Sequence, residues 1–197
     1  MITDYASLKA SIASWTHRDD LGNVMDDFIA GAESRMASEL RVRELETTAS
    51  GTLSGITLAL PADFAALRRL TIASTTKYSP EYIGVDGMRS KYIQGNSMPS
   101  FYTLIGGNIE FNCTPDSAYA YVLDYWKKPT AITSTNTTST LLTAYPLLYL
   151  YACLMQSAFY TKNDKDLARY TGLYKDSLNL ANGVAKAQGG PMRIVTG

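Results

Sequence analysis

The chain has few of the side chains that enzymes use for chemistry. It contains one histidine, His17, and two cysteines, Cys113 and Cys153, among 197 residues. Two cysteines cannot build a disulfide framework or a thiolate zinc site, so we expect two free thiols that behave as small hydrophobic side chains. His17 stands in a polar stretch beside Arg18, where we expect an exposed loop histidine.

The motifs that place reactive groups are also missing. A nucleophilic serine lacks the Gly-x-Ser-x-Gly turn that would present it. The carboxylate pairs Asp19-Asp20 and Asp26-Asp27 lie at predicted helix ends, where the helix dipole accounts for them without a cation. We therefore predict no catalytic residue, no cofactor and no metal. A pair of acids for glycan cleavage stays open as an alternative. The two carboxylates of such a pair come close only in the folded protein and follow no fixed spacing in the sequence.

Charge is scarce as well. Charged residues make up 18% of the chain, below the roughly 25% of ordinary soluble domains, and the formal net charge is zero. The whole chain therefore has no bulk attraction for nucleic acid or an anionic membrane. No run reaches the roughly 20 apolar residues of a membrane span, and residues 1–10 do not have the pattern of a signal peptide. We expect a protein that remains in the cytoplasm until it is built into an assembly.

Helical patterns occupy both ends of the chain. Asp4 can cap a helix over residues 5–15, and apolar side chains then repeat every four residues from Val24 to Leu40. Pro146 suits the first turn of a nearly all-apolar helix that runs to residue 160. A last helix is predicted over residues 167–187.

Strand patterns fill the middle of the chain. They are predicted over residues 52–60, 68–74, 101–105, 108–113 and 118–126. Gly106-Gly107 suits a two-residue hairpin turn, and the connections are too short for crossover helices, which favours one small antiparallel meander. The predicted fold is α+β: a helical bundle from residues 1–46 and 141–187, an inserted antiparallel β lobe over 47–128, a linker over 129–140 and a C-terminal tail over 188–197.

Two sets of residues are candidates for contact with partners. The arginines Arg35, Arg41 and Arg43 alternate with glutamates on the second helix, which is typical of a solvated, salt-bridged face but also suits a channel lining. The tyrosines are at helical spacing, where they are usually core, yet each buried hydroxyl needs a partner, so we also consider a subunit interface. These tyrosines are Tyr149, Tyr151, Tyr170 and Tyr174. Two further basic pairs, Arg68-Arg69 and Lys127-Lys128, suit either a channel or a sheet edge.

Several segments in this order resemble the head-to-tail adaptor (connector) proteins of tailed bacteriophages, in their podovirus-like form. The resemblance rests on FIAGAESR and ELRVR in the second helix, LPADFAALRRL in the β lobe, and YAYVLDYWKK followed by LL and PLLYLYA. Residues 99–106 and 109–111 also contribute, so the resemblance covers nearly the whole chain.

The resemblance implies a structural virion protein without enzymatic activity. It implies a ring, typically dodecameric, that lies under the portal at the head–tail junction and extends the channel for double-stranded DNA. Other implied partners are the tail nozzle or tube and fibre proteins, with no membrane. The C-terminal residues Met192, Ile194 and Val195 would dock on the portal, although the tail is short here. A glycan-degrading tail-associated enzyme and a sequence-specific DNA-binding module are the alternatives.

Overall fold

The computed structural model describes residues 1–73 and 77–189, which form an α+β fold as predicted. The helices are α1 (Tyr5–Thr16), α2 (Met25–Glu39), α3 (Val85–Lys91), α4 (Thr140–Ala144), α5 (Pro146–Tyr160) and α6 (Asp164–Gly189). The strands are β1 (Glu46–Leu53), β2 (Thr57–Ala59), β3 (Phe64–Ala73), β4 (Lys77–Tyr78), β5 (Glu81–Tyr82), β6 (Phe101–Ile105), β7 (Asn108–Phe111) and β8 (Tyr119–Lys127). The chain divides into a helical unit, Met1–Leu45 with the chain from Lys128 onward, and a β unit, Glu46–Lys127.

The helical unit is built around α5. Helices α1, α2, α4 and α6 all contact it, which explains why its sequence is apolar on nearly every face. Pro146 occupies the first turn of α5, where its missing N–H costs no hydrogen bond. The N-terminus of α1 is closed by a capping box in which Asp4 accepts from the backbone N–H of Ser7 at 2.8 Å. The four main helices were predicted from sequence, with bounds that differ by a few residues.

The β unit contains two four-stranded sheets rather than one meander. One has the order β1-β8-β3-β4 and the other β2-β7-β6-β5. The expectation of a single antiparallel meander is therefore wrong. The predicted strand over residues 52–60 is two strands in different sheets, separated by a bend at Gly55. In addition, β5 and β6 are parallel, because the segment that contains α3 carries the chain back between them.

Local turn chemistry sets the tight connections of the β unit. Gly106 and Gly107 have φ angles of 56° and 79°, the left-handed region that a two-residue hairpin needs and that glycine adopts without a Cβ penalty. The β unit has its own core, formed by Leu53, Leu70, Ile72, Tyr102, Ile109, Phe111, Leu123 and Tyr125. Each unit thus buries a separate set of apolar side chains.

Candidate interaction surfaces

Three of the four candidate tyrosines lie inside the helical unit. Tyr149 and Tyr174 are completely buried, and Tyr170 is 5% exposed. The Tyr149 hydroxyl donates to Glu33, and the Tyr174 hydroxyl donates to Glu39 at 2.9 Å. Two glutamates of α2 therefore supply the acceptors for the Tyr149 and Tyr174 hydroxyls. These three side chains belong to the core rather than to the surface.

The Glu33 carboxylate links the segment before α4 to the core through hydrogen bonds. Its carboxylate accepts from the Tyr149 hydroxyl and from the backbone N–H of Ile132, the latter at 2.7 Å. Burial raises the pKa of Glu33, while both hydrogen bonds act in the opposite direction. Burial, followed by the Glu33 hydrogen bond, raises the pKa of Tyr149. With both donors engaged, this carboxyl holds chain segments together.

The candidate arginines divide into two half-buried ones and one exposed one. Arg35 donates to Glu39 at 3.1 Å and lies over the Tyr174 ring, with its guanidinium 5.2 Å from the ring centroid. Arg41 donates to the carbonyl oxygen of Leu40 at 2.7 Å, so it satisfies an acceptor at the end of α2. Arg43 is exposed. Of the three, Arg43 is the best placed to contact a partner.

Tyr151 is the one of the four tyrosines that reaches the surface. It is half-buried, and its ring meets the edge of Trp15 with centroids 5.9 Å apart. Trp15 is 39% exposed and also packs near Tyr170 at 6.4 Å. Residues of α1, α5 and α6 therefore form a small aromatic patch on the helical unit.

Sequence reasoning did not single out Phe159, a strongly exposed apolar side chain of the helical unit. Phe159 and Tyr160, at the end of α5, are 71% and 56% exposed. They border a groove of about 650 Å³, here called the aromatic groove. Its lining residues are Asp27, Phe28, Gln156, Ala158, Phe159, Tyr160, Lys162, Asp164 and Leu167. The signal in the sequence was an apolar run that continues to the last residue of α5.

A second exposed apolar feature lies on α6. Leu180 and Val184 are 71% and 45% exposed, and their i, i+4 spacing places them side by side. This pair is here called the α6 stripe. The candidate portal-docking residues Met192, Ile194 and Val195 lie outside the described residues.

The β unit presents a polar face in which acids neutralise both candidate arginines. Arg68 pairs with Glu46, and Arg69 pairs with Asp124 at 3.1 Å. An irregularity in the β3–β8 register between Leu67 and Arg69 leaves both consecutive arginines exposed. Because each positive charge faces a carboxylate, this face is polar without being strongly basic.

The reactive groups are dispersed or inaccessible. Across residues 1–73 and 77–189, no three histidine, cysteine or acidic side chains are grouped as a metal would require. Cys113 and Cys153 are unbridged and buried, and burial raises the pKa of both thiols. His17 is exposed at the end of α1, with a φ of 52°. In the same described ranges, no helix has the length and hydropathy to cross a bilayer.

A fold that uses half-buried acids and buried tyrosines for internal hydrogen bonds, and leaves apolar side chains on its surface, is typical of a structural subunit that binds other proteins. The chain matches the family model described as SU10 adaptor protein over residues 3–195, and it belongs to that family. It is therefore a phage structural adaptor and a component of the virion. The adaptor family supports a non-enzymatic role. No curated protein matches the chain.

Proposed function

We propose that this adaptor forms a ring at the head–tail junction that joins the portal to the tail and extends the DNA channel. The observation that carries the proposal is the adaptor-family match over residues 3–195, nearly the whole chain. A ring of twelve copies is the proposed stoichiometry. The proposed partners are further copies of the chain, the portal protein, and the tail nozzle or tube and fibre proteins.

The surface of the helical unit supports assembly. Large exposed apolar side chains that lie together mark protein contact sites, because they gain free energy when a partner removes them from water. The aromatic groove and the α6 stripe are two such features, and they differ in shape and composition. Two different surfaces suit the heterologous contacts that close a ring by rotation.

The charge distribution supports a conduit that DNA passes through without being held. Tight DNA binding requires many unpaired basic residues that release counterions from the phosphates. The net charge here is zero, and Arg68 and Arg69 are each paired with an acid. We assign the β unit to contact with tail nozzle, tube or fibre proteins, through a polar face of the kind found in wet, reversible interfaces.

The direct test is to mix the full chain with the portal protein of its phage and to image the mixture by negative-stain electron microscopy. The expected result is an additional ring of density on one end of the portal, with portal alone as the control. Mass spectrometry of purified virions should also detect the chain. A chain that does not bind the portal and is missing from virions would refute the proposal.

A further inference from the structure

We infer that the outer edge of β1 binds an extended segment of a tail protein, which adds to the sheet β1-β8-β3-β4 as a further strand. This inference rests on the proposed function, in which the β unit contacts the tail, and it names the contact.

The outer side of β1 is an open strand edge. All eight residues of the strand pair with β8, from Glu46 opposite Trp126 to Leu53 opposite Tyr119, and β1 is the first strand of its sheet. In an antiparallel ladder, every second residue points its N–H and C=O away from the paired strand. Within residues 1–73 and 77–189, no other backbone group bonds to this outer side. The β1 edge, Glu46–Leu53, therefore presents a row of donors and acceptors that an extended backbone satisfies.

The β1 edge does not have the features by which sheets usually prevent strand addition. Natural edges are short, bent by bulges, or protected by charge or proline. The other edge strands described in the β unit are short: β2 has three residues, and β4 and β5 have two each. In contrast, β1 has eight residues, an unbroken register with β8, and no charged residue or proline from Thr47 to Leu53. The β1 edge is therefore suited to an uncharged partner strand.

The side chains along the β1 edge leave room for a partner. Thr48, Ser50 and Thr52 are small and exposed on one side of the sheet. On the other side, Gly51 is exposed, and the end of the Tyr121 ring lies 3.0 Å from the position that a Cβ would take there. The Tyr121 hydroxyl has no hydrogen-bond partner among the described residues. It can donate to an added strand, while the ring packs against an apolar side chain of that strand.

A second copy of this chain does not fit the β1 edge within a ring. Neighbours in a ring join through two different surfaces, and the other described edges, with at most three residues, are too short to pair with β1 along its length. Two copies of β1 would pair about a two-fold axis, which joins copies in pairs and closes no ring. The occupant is therefore a strand of another protein. In the proposed function, the neighbours of the β unit are the tail nozzle, tube or fibre proteins.

Hydrogen exchange at the β1 amides tests the inference, because strand addition protects alternate amides. The samples are the free chain, its ring on the portal, and whole virions, measured by mass spectrometry with fragmentation to single residues. In the free chain and in the ring, every second amide of β1 should exchange slowly because it bonds to β8, while the outward amides exchange fast. In virions, the outward amides should slow by at least about tenfold.

The other outcomes overturn the inference. Outward amides that stay fast in virions would show that no strand adds, and would leave the proposed ring intact. Outward amides that are already protected in the portal ring would assign the edge to the portal, and protection that grows with concentration in the free chain would assign it to a second copy. A chain that is missing from virions and does not bind the portal would overturn the proposed function as well.

Lysine variants test the same contact by function. Lysines at both Ser50 and Thr52, as Ser50→Lys with Thr52→Lys, protect the edge as lysine does in natural sheets. Ala120→Lys is the matched control, because Ala120 is exposed on the same side of the sheet and pairs with Thr52 from the inner strand β8. Both variants should form rings on the portal, and only the double variant should lower the number of particles with tails, by at least about tenfold. Equal numbers of tailed particles would contradict the inference.

Discussion

Replacing Tyr149 by phenylalanine tests whether the Glu33–Tyr149 contact stabilises the helical unit. The substitution removes one oxygen from a completely buried ring and leaves the packing of the ring unchanged. It also deprives the Glu33 carboxylate of one of its two donors. Hydrogen bonds to charged groups contribute roughly 1.5–3 kcal/mol, so we expect the free energy of unfolding to fall by about 2 kcal/mol at pH 8.

The two tryptophans make this measurement specific. Trp15 lies in the helical unit and Trp126 in the β unit, so a Trp126→Phe background leaves Trp15 to report on helical unfolding. Urea titrations followed by Trp15 fluorescence give the free energy of unfolding. Tyr151→Phe is the matched control, because Tyr151 is only half-buried, and its effect should stay within about 0.5 kcal/mol. If Tyr149→Phe destabilises no more than Tyr151→Phe, the contact does not stabilise the unit as argued.

Three further predictions follow from the same structure. Because burial raises the pKa of Glu33 in the folded state, its contribution to stability is fully present below the unfolded value and is lost as pH rises through the folded value. Glu33→Gln should therefore gain stability relative to the wild type as the pH rises above about 4.5, the ordinary pKa of glutamate, in urea titrations, and a difference independent of pH would contradict this assignment. Gly107→Ala should destabilise the β unit by about 1–2 kcal/mol, since alanine is strained at a φ of 79°, whereas Gly55→Ala, whose added Cβ would make only an ordinary van der Waals contact, should be nearly neutral by Trp126 fluorescence. Finally, fluorescence anisotropy should show weak DNA binding, equal for unrelated duplexes and lost at about 0.2 M salt; sequence-specific binding would favour the DNA-binding alternative.

The sequence alone determined the features that depend on neighbours along the chain. The helix starts at Asp4 and Pro146 and the turn at Gly106-Gly107 were predictable, because caps, proline and left-handed glycines act within a few residues. The apolar character of α5 also predicted its burial, and the order of segments along the chain was sufficient to indicate the adaptor family. The contacts of Arg35 were harder to predict, because its guanidinium donates to Met155, 120 residues away, as well as to Glu39.

Tertiary structure decided the features that join distant residues. The tyrosine spacing could not show whether Tyr149 would face a neighbour or the core, because the answer depended on Glu33, 116 residues away. Likewise, β1 pairs with β8 across the whole β unit, which strand patterns do not specify. The aromatic groove is lined by residues of α2, α5 and α6, so the sequence could not reveal it before the packing of these three helices was known. In each case the outcome depends on which polar and apolar groups are removed from water together. The packing of segments that are distant in sequence determines those groups.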